Sequence, residues 1–212
     1  MRAGLQGGSR TQTVLPTGTQ KPWKLDELES EIMQFHCDQT RSPSGVLLPW
    51  SEAKKGLTGE KLELRISKAL AHQLDLRWRR GSILAETECQ SGRIDVFVTR
   101  EVLVEGSGPC VIEVKVLRSH YRRMVGKHHR KVTEKSSLHW AKRGVIQADL
   151  YRKDKAAPSA YLCSFDARDK DADLPQVESF AKSKQIEHRR YFMYRSSGDL
   201  QGAELAKAEK VS

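Results

Sequence analysis

Glu113 and Lys115 stand two residues apart in the apolar run Cys110-Val-Ile-Glu-Val-Lys-Val-Leu117, and Asp95 stands in another, Arg93-Ile-Asp-Val-Phe-Val-Thr99. In a strand, positions i and i+2 share a face, so Glu113 and Lys115 project together while Ile112, Val114 and Val116 take the opposite side. Burying charge is costly unless the charge is paired or bound to a metal. Two carboxylates and an amine converging on one point form the set that phosphodiester hydrolysis needs. Asp95 and Glu113 can hold a hard divalent cation, Mg²⁺ with Mn²⁺ as a substitute, through oxygen ligands. Such a cation stabilises charge on a phosphate and lowers the pKa of a bound water. The Lys115 ammonium can position or help activate that water and offset developing negative charge. The plain alternative is a strand with one solvated face, on which Glu-x-Lys is a surface ion pair.

The elements that must position these residues are legible in outline. Leu25-Asp-Glu-Leu-Glu-Ser-Glu-Ile-Met-Gln-Phe35 suits a short amphipathic helix, broken by Ser42-Pro-Ser-Gly. A stronger helix is expected from Thr58, read as its N-cap, with Leu62, Ile66, Leu70 and Leu74 facing a core. Strand-like runs follow at 82–89, 93–99 and 110–117, separated by Gln90-Ser-Gly and Gly106-Ser-Gly-Pro turns. A second helix is expected at about 137–153, strands at 160–165 and 190–195, and a short helix at 177–184. A meander of strands followed by a helix-linked strand predicts an α/β fold, a mixed central sheet of about four to five strands flanked by helices. The boundaries expected are a disordered segment 1–22, a lead-in 23–56, the main domain 57–197 and a polar tail 198–212.

Gly92-Arg-Ile-Asp95 followed by Ile112-Glu-Val-Lys115 resembles the core of the PD-(D/E)xK nuclease superfamily, the restriction-endonuclease-like fold. The resemblance spans residues 59–195 and implies a metal-dependent deoxyribonuclease. Asp95 and Glu113 would then be metal ligands and Lys115 the catalytic lysine. One departure is Ile94, which stands where the family often has proline. Members often carry a glutamate on the first helix. Glu63 fits that place best, sharing a face with Ile66 and Leu70, and Glu60 is the second choice. Gln147 and Tyr151, at i and i+4, are similar to the Gln-x-x-x-Tyr motif of the branch that includes RecB-type nucleases, where the pair supports the catalytic residues. Restriction, phage defence, phage DNA processing or repair would be the setting such a nuclease implies, by fold-level analogy.

Charge points the same way. Lys and Arg number 37 against 27 Asp and Glu, a net +10, and the excess is uneven. Nine basic residues lie between Arg118 and Arg143 with only Glu134 opposing them. Of these, Arg118, Arg122, Arg123, Lys127, Arg130, Lys131, Lys142 and Arg143 are the expected contacts to DNA phosphates. Tyr121 or Trp140 could stack on unpaired bases, although Trp140 also suits the core of its helix. The cysteines Cys37, Cys89, Cys110 and Cys163 show no C-x-x-C spacing, and His128-His129 has no third ligand at a diagnostic spacing, which argues against zinc. With no signal-peptide pattern and no apolar run long enough to span a bilayer, a cytoplasmic protein without membrane partners is expected. A homodimer or a larger defence or repair assembly is compatible with the sequence. So are two rival functions: a catalytically silent module of the same fold that binds DNA or protein, and an RNA-processing nuclease.

Overall fold

The computed structural model describes residues 21–78, 80–122 and 129–209. In chain order the elements are α1 (Leu25–Gln39), β1 (Trp50–Glu52), β2 (Leu57–Thr58), α2 (Leu62–Arg77), β3 (Ile83–Cys89), β4 (Gly92–Val98), β5 (Cys110–Arg118), β6 (His120–Arg122), β7 (His129–Lys131), α3 (Glu134–Asp154), β8 (Ser159–Ala167), α4 (Pro175–Ser183), β9 (Glu187–Phe192) and α5 (Ser197–Glu209). Five strands form one mixed sheet in the order β3-β4-β5-β8-β9. The first three run antiparallel as a meander. β5, β8 and β9 run parallel, with α3 and α4 as the connecting helices. The protein is thus α/β, as parallel neighbours joined through helices require.

Both faces of the sheet are covered. Ile112, Val114 and Val116 of β5 join Val96, Val98, Cys163 and Phe165 in a core closed by α1 and α2 through Leu28, Ile32, Phe35, Leu62, Ile66, Leu70 and Leu74. Val111 and Leu117 face the other way and pack with Leu162 against Ala141, Val145 and Ala148 of α3 and Val177 and Ala181 of α4. Residues 110–117 are consequently buried throughout, as expected for a strand with parallel and antiparallel neighbours beneath two helix layers. Among the described residues, no helix is long and apolar enough to cross a membrane.

The structure departs from the sequence reading in four places. α1 runs on to Gln39 and its apolar face enters the main core, so the lead-in at 23–56 is packed into the domain rather than set before it. Thr58 does not cap α2: it pairs with Trp50 in the β1–β2 ladder, and the helix starts at Leu62 after Lys61, whose φ is +48°. β9 lies three residues earlier than expected, with Tyr161 opposite Glu187 and Asp166 opposite Phe192. The polar C-terminal stretch carries the helix α5, which buries no residue. The N-terminal segment expected to be disordered lies outside the described residues up to residue 20.

Phe35 is fully buried and meets Phe165 edge-on with ring centroids 6.2 Å apart. Phe35→Ala is expected to lower stability by about 3–5 kcal/mol, read as a shift of the urea midpoint at unchanged m-value. A shift of a few tenths would mean that α1 is dispensable to the core.

Candidate active site

The ladder between β4 and β5 stops early. It pairs Val98 with Cys110, Phe97 with Val111 and Val96 with Ile112, and goes no further. N–H groups alternate between the two edges of a strand, so those of Val114 and Val116 point toward the gap that β4 leaves. Two carboxylates fill it. Asp95 Oδ2 accepts the Val114 N–H at 2.8 Å, and Glu63 Oε1 accepts the Val116 N–H at 2.9 Å. The β3–β4 ladder is interrupted at the same level: it passes from Ala85–Val96 to Thr87–Ile94 in unchanged register without pairing Glu86 and Asp95, and Glu86, on β3, has φ +55°. The break frees Asp95 to reach across to β5.

Glu113 and Lys115 project from the β5 face that α3 covers. They form an ion pair of 2.5 Å, with Glu113 only 2% and Lys115 5% exposed. Those exposures exclude the solvated surface pair. α3 can lie this close because residue 144 is glycine: a Cβ there would come within 2.8 Å of Lys115 Cγ and 2.7 Å of Leu162 Cδ1. Trp140 lies one turn earlier. Its indole N–H donates to Glu63 Oε1 at 2.9 Å, and the Lys115 ammonium sits 5.1 Å from its ring centroid. Further along α3, Gln147 Nε2 donates to the Tyr151 hydroxyl at 3.4 Å. Tyr151 packs on Gly92, where a Cβ would fall 3.0 Å from that hydroxyl and where φ is +143°. The start of the Gly92-Arg-Ile-Asp95 stretch is therefore held against α3.

Burial dominates the electrostatics. It pushes Asp95 from its ordinary 3.8 up to about 6, opposed by the Val114 N–H and by Lys115. Burial and then the Asp95 charge push Glu113 from 4.5 up to about 8, opposed by Lys115. Burial alone would lower Lys115, but Glu113, Glu63 and Asp95 outweigh it and hold the ammonium charged above its ordinary range. The four groups thus act as one electrostatic cluster.

Among the described residues, no three His, Cys, Asp or Glu side chains are gathered closely enough to hold a metal ion by themselves. The donor chemistry of the cluster nevertheless fits a hard cation. Glu113 Oε2 is buried without a hydrogen-bond partner, and a buried unpartnered carboxylate oxygen beside a second carboxylate is what a divalent cation would satisfy. Asp95 and Glu113 are the residues able to hold one, with Glu63 within their electrostatic reach.

Of the expected residues, the structure brings together Asp95, Glu113, Lys115 and Glu63, and it places Gln147 and Tyr151 along α3 beside them. Glu60, the second choice to Glu63, is exposed in the turn before α2. Arg118, at the end of β5, feels the Glu63 charge, and its Nε is buried without a partner. Arg130 and Lys131 are exposed on β7, which pairs with β6 in a two-stranded ribbon continuing from the chain of β5. Arg143 is exposed and lies 5.4 Å from the Trp140 ring centroid. Lys142 instead turns to Phe180 of α4, away from this group. Arg123, Lys127 and the side chain of Arg122 lie outside the described residues. Trp140 as a hydrogen-bond donor and Gly144 as a spacer were missed. The signal that could have found them is their place on the helical stripe 140, 144, 147, 151 that already held Gln147 and Tyr151.

No protein-family model matches the chain, and neither a curated protein nor a solved structure was found to be similar to it.

The raised carboxyls have a consequence for stability. Without metal, the folded protein keeps protons on Asp95 and Glu113 that the unfolded chain has released above about 4 and 4.5. The contribution of each is therefore complete below those values and is lost as pH rises through about 6 and about 8 respectively. Urea midpoints in chelator should fall between pH 5 and pH 8. Glu113→Gln should remove most of the fall above pH 6; an unchanged profile would place the titrating groups elsewhere.

Proposed function

We propose that the protein is a metal-dependent nuclease of the PD-(D/E)xK type that hydrolyses phosphodiester bonds in DNA. The observation that carries the reading is the convergence of Asp95, Glu113 and Glu63 with Lys115 at the β4–β5 gap. The order of helix, three-stranded meander, connecting helix and parallel strand supports the restriction-endonuclease-like fold. Asp95 and Glu113 would hold Mg²⁺ or Mn²⁺, which when bound supplies Lewis-acid stabilisation of the phosphate and an acidified water. Lys115, whose pKa is raised, is an ammonium at neutral pH. It therefore orients water and offsets charge on the phosphate rather than taking a proton. Glu63 keeps the β5 edge in place, and Gln147 and Tyr151 brace the Gly92 turn that leads into Asp95.

Arg118 and Arg143 border this cluster, and Arg130 and Lys131 are exposed on the β6–β7 ribbon that follows β5; these would take the DNA backbone. The silent-module reading has a physical cost against it. Phosphate binding gains nothing from three carboxylates placed beside the polyanion, and burying them weakens the fold.

Supercoiled plasmid and labelled single-stranded DNA, incubated with Mg²⁺ or Mn²⁺, should be cut by the wild type. Lys115→Ala should lose roughly 10²–10³-fold in rate while keeping DNA affinity within a few-fold. If neither protein cuts and both bind, the silent module replaces the enzyme; cutting confined to RNA would move the substrate class. Arg130→Ala/Lys131→Ala should reduce the slope of log affinity against log salt by about 2. An unchanged slope would show that the β6–β7 ribbon does not touch phosphate.

A further inference from the structure

Trp140 touches the cluster from two sides. Its N–H and that of Val116 both end on Glu63 Oε1, each at 2.9 Å. An indole has one donor and no acceptor, so its N–H needs an acceptor opposite it, and here that acceptor is a Glu63 carboxylate oxygen. Two donors on one oxygen fix the rotation of the carboxylate. The Trp140 ring meanwhile takes the Lys115 ammonium at 5.1 Å and the Arg143 guanidinium at 5.4 Å from its centroid. A cation held over an indole keeps part of its stabilisation when desolvated. Lys115 is therefore held between Glu113 and the ring, and Arg143 links the same ring to the exposed side of α3.

We propose that Trp140 is a positioning residue: it sets the Glu63 carboxylate and the Lys115 ammonium relative to each other, and so couples α3 to the metal-binding carboxylates. The proposal rests on the nuclease reading. The bond to Glu63 does not follow from a core role for Trp140, because an apolar ring in that place would fill the same space without it.

Trp140→Phe keeps an aromatic face for Lys115 and Arg143 and removes the donor. It should lower kcat for DNA cleavage about ten-fold with KM within two-fold, and weaken Mn²⁺ binding, measured by calorimetry without DNA, by about ten-fold. Because the effect passes through Glu63, Trp140→Phe combined with Glu63→Gln should be little worse than Glu63→Gln alone. Additive losses, or a Trp140→Phe protein with wild-type cutting and Mn²⁺ affinity, would overturn the proposal and leave the nuclease reading intact. A wild type that neither cuts DNA nor binds Mn²⁺ removes both. Should Trp140→Phe fail to fold, the ¹⁵N-indole spectrum of the wild type decides. The peak moved by Glu63→Gln should be broadened by Mn²⁺ before the other three indoles, Trp23, Trp50 and Trp78; equal broadening of all four overturns it.

Discussion

A buried N–H must find an acceptor, and where a ladder ends inside a protein the acceptors have to come from elsewhere. In this chain the β4–β5 ladder ends after Val96 and Ile112, beneath two helix layers. The exposed edge of β5 is completed by side chains: Asp95 from β4 takes the Val114 N–H, and Glu63 from α2 takes that of Val116. These carboxylates thus have a structural duty quite apart from chemistry. The duty fixes where α2 begins, because Glu63 reaches β5 only if its helix starts beside the gap. α2 starts at Leu62 after a left-handed Lys61 with no side-chain cap, and Glu63 lies in its first turn.

Gathering carboxylates at a strand edge creates a concentration of negative potential that the fold only partly offsets. Lys115 answers Glu113 directly, but Glu113 Oε2 remains without a partner and both Asp95 and Glu113 resist ionisation. A site built for stability alone would have apolar residues here, as replacements of buried ion pairs often show. The sheet accepts this cost in its centre, between α2 and α3, and not at an edge where solvent would relieve it. Cationic side chains stand close by: Arg118 follows from the same strand, and Arg143 lies against the same tryptophan. A negative centre bordered by positive surface can attract a polyanion to its rim while reserving its interior for a cation.

Much of this arrangement was legible because it follows from two short periods. Alternation along β5 placed Glu113 and Lys115 on one face and Ile112, Val114 and Val116 on the other, and the structure keeps that division. The i, i+4 spacing put Gln147 and Tyr151 together on α3. What escaped depended on contacts between distant segments. The irregular level at Glu86 and Asp95, which opens the gap, carries no composition signal. β9 was misplaced because its first residues, Glu187-His-Arg-Arg190, read as polar; the strand is held there by Arg189 pairing with Glu29 and Arg190 with Asp166. Thr58 looked like a cap only because its pairing with Trp50 was invisible. Lys142 and Arg143, adjacent in sequence, diverge by the 100° that each helical residue turns, so one meets α4 and the other Trp140.

α3 emerges as the element on which the site's geometry converges. Along one stripe it offers Trp140 to Glu63 and Lys115, a bare backbone at Gly144 to the Lys115 chain, and Tyr151 to Gly92. Its other stripe, Ala141, Val145 and Ala148, packs into the core. A glycine inside a helix costs about 1 kcal/mol relative to alanine, and three small core residues bury less than larger ones would. The glycine lowers the intrinsic stability of α3, the alanines reduce the area it buries, and both let it approach the sheet closely enough for an indole and an ammonium to meet. Because Trp140, Gly144 and Tyr151 engage three different elements at fixed spacing, α3 cannot slide by a turn of about 5.4 Å without losing all three contacts together. The helix therefore has one register on the sheet, and the separation of Glu63, Lys115 and the Gly92 turn is set by it.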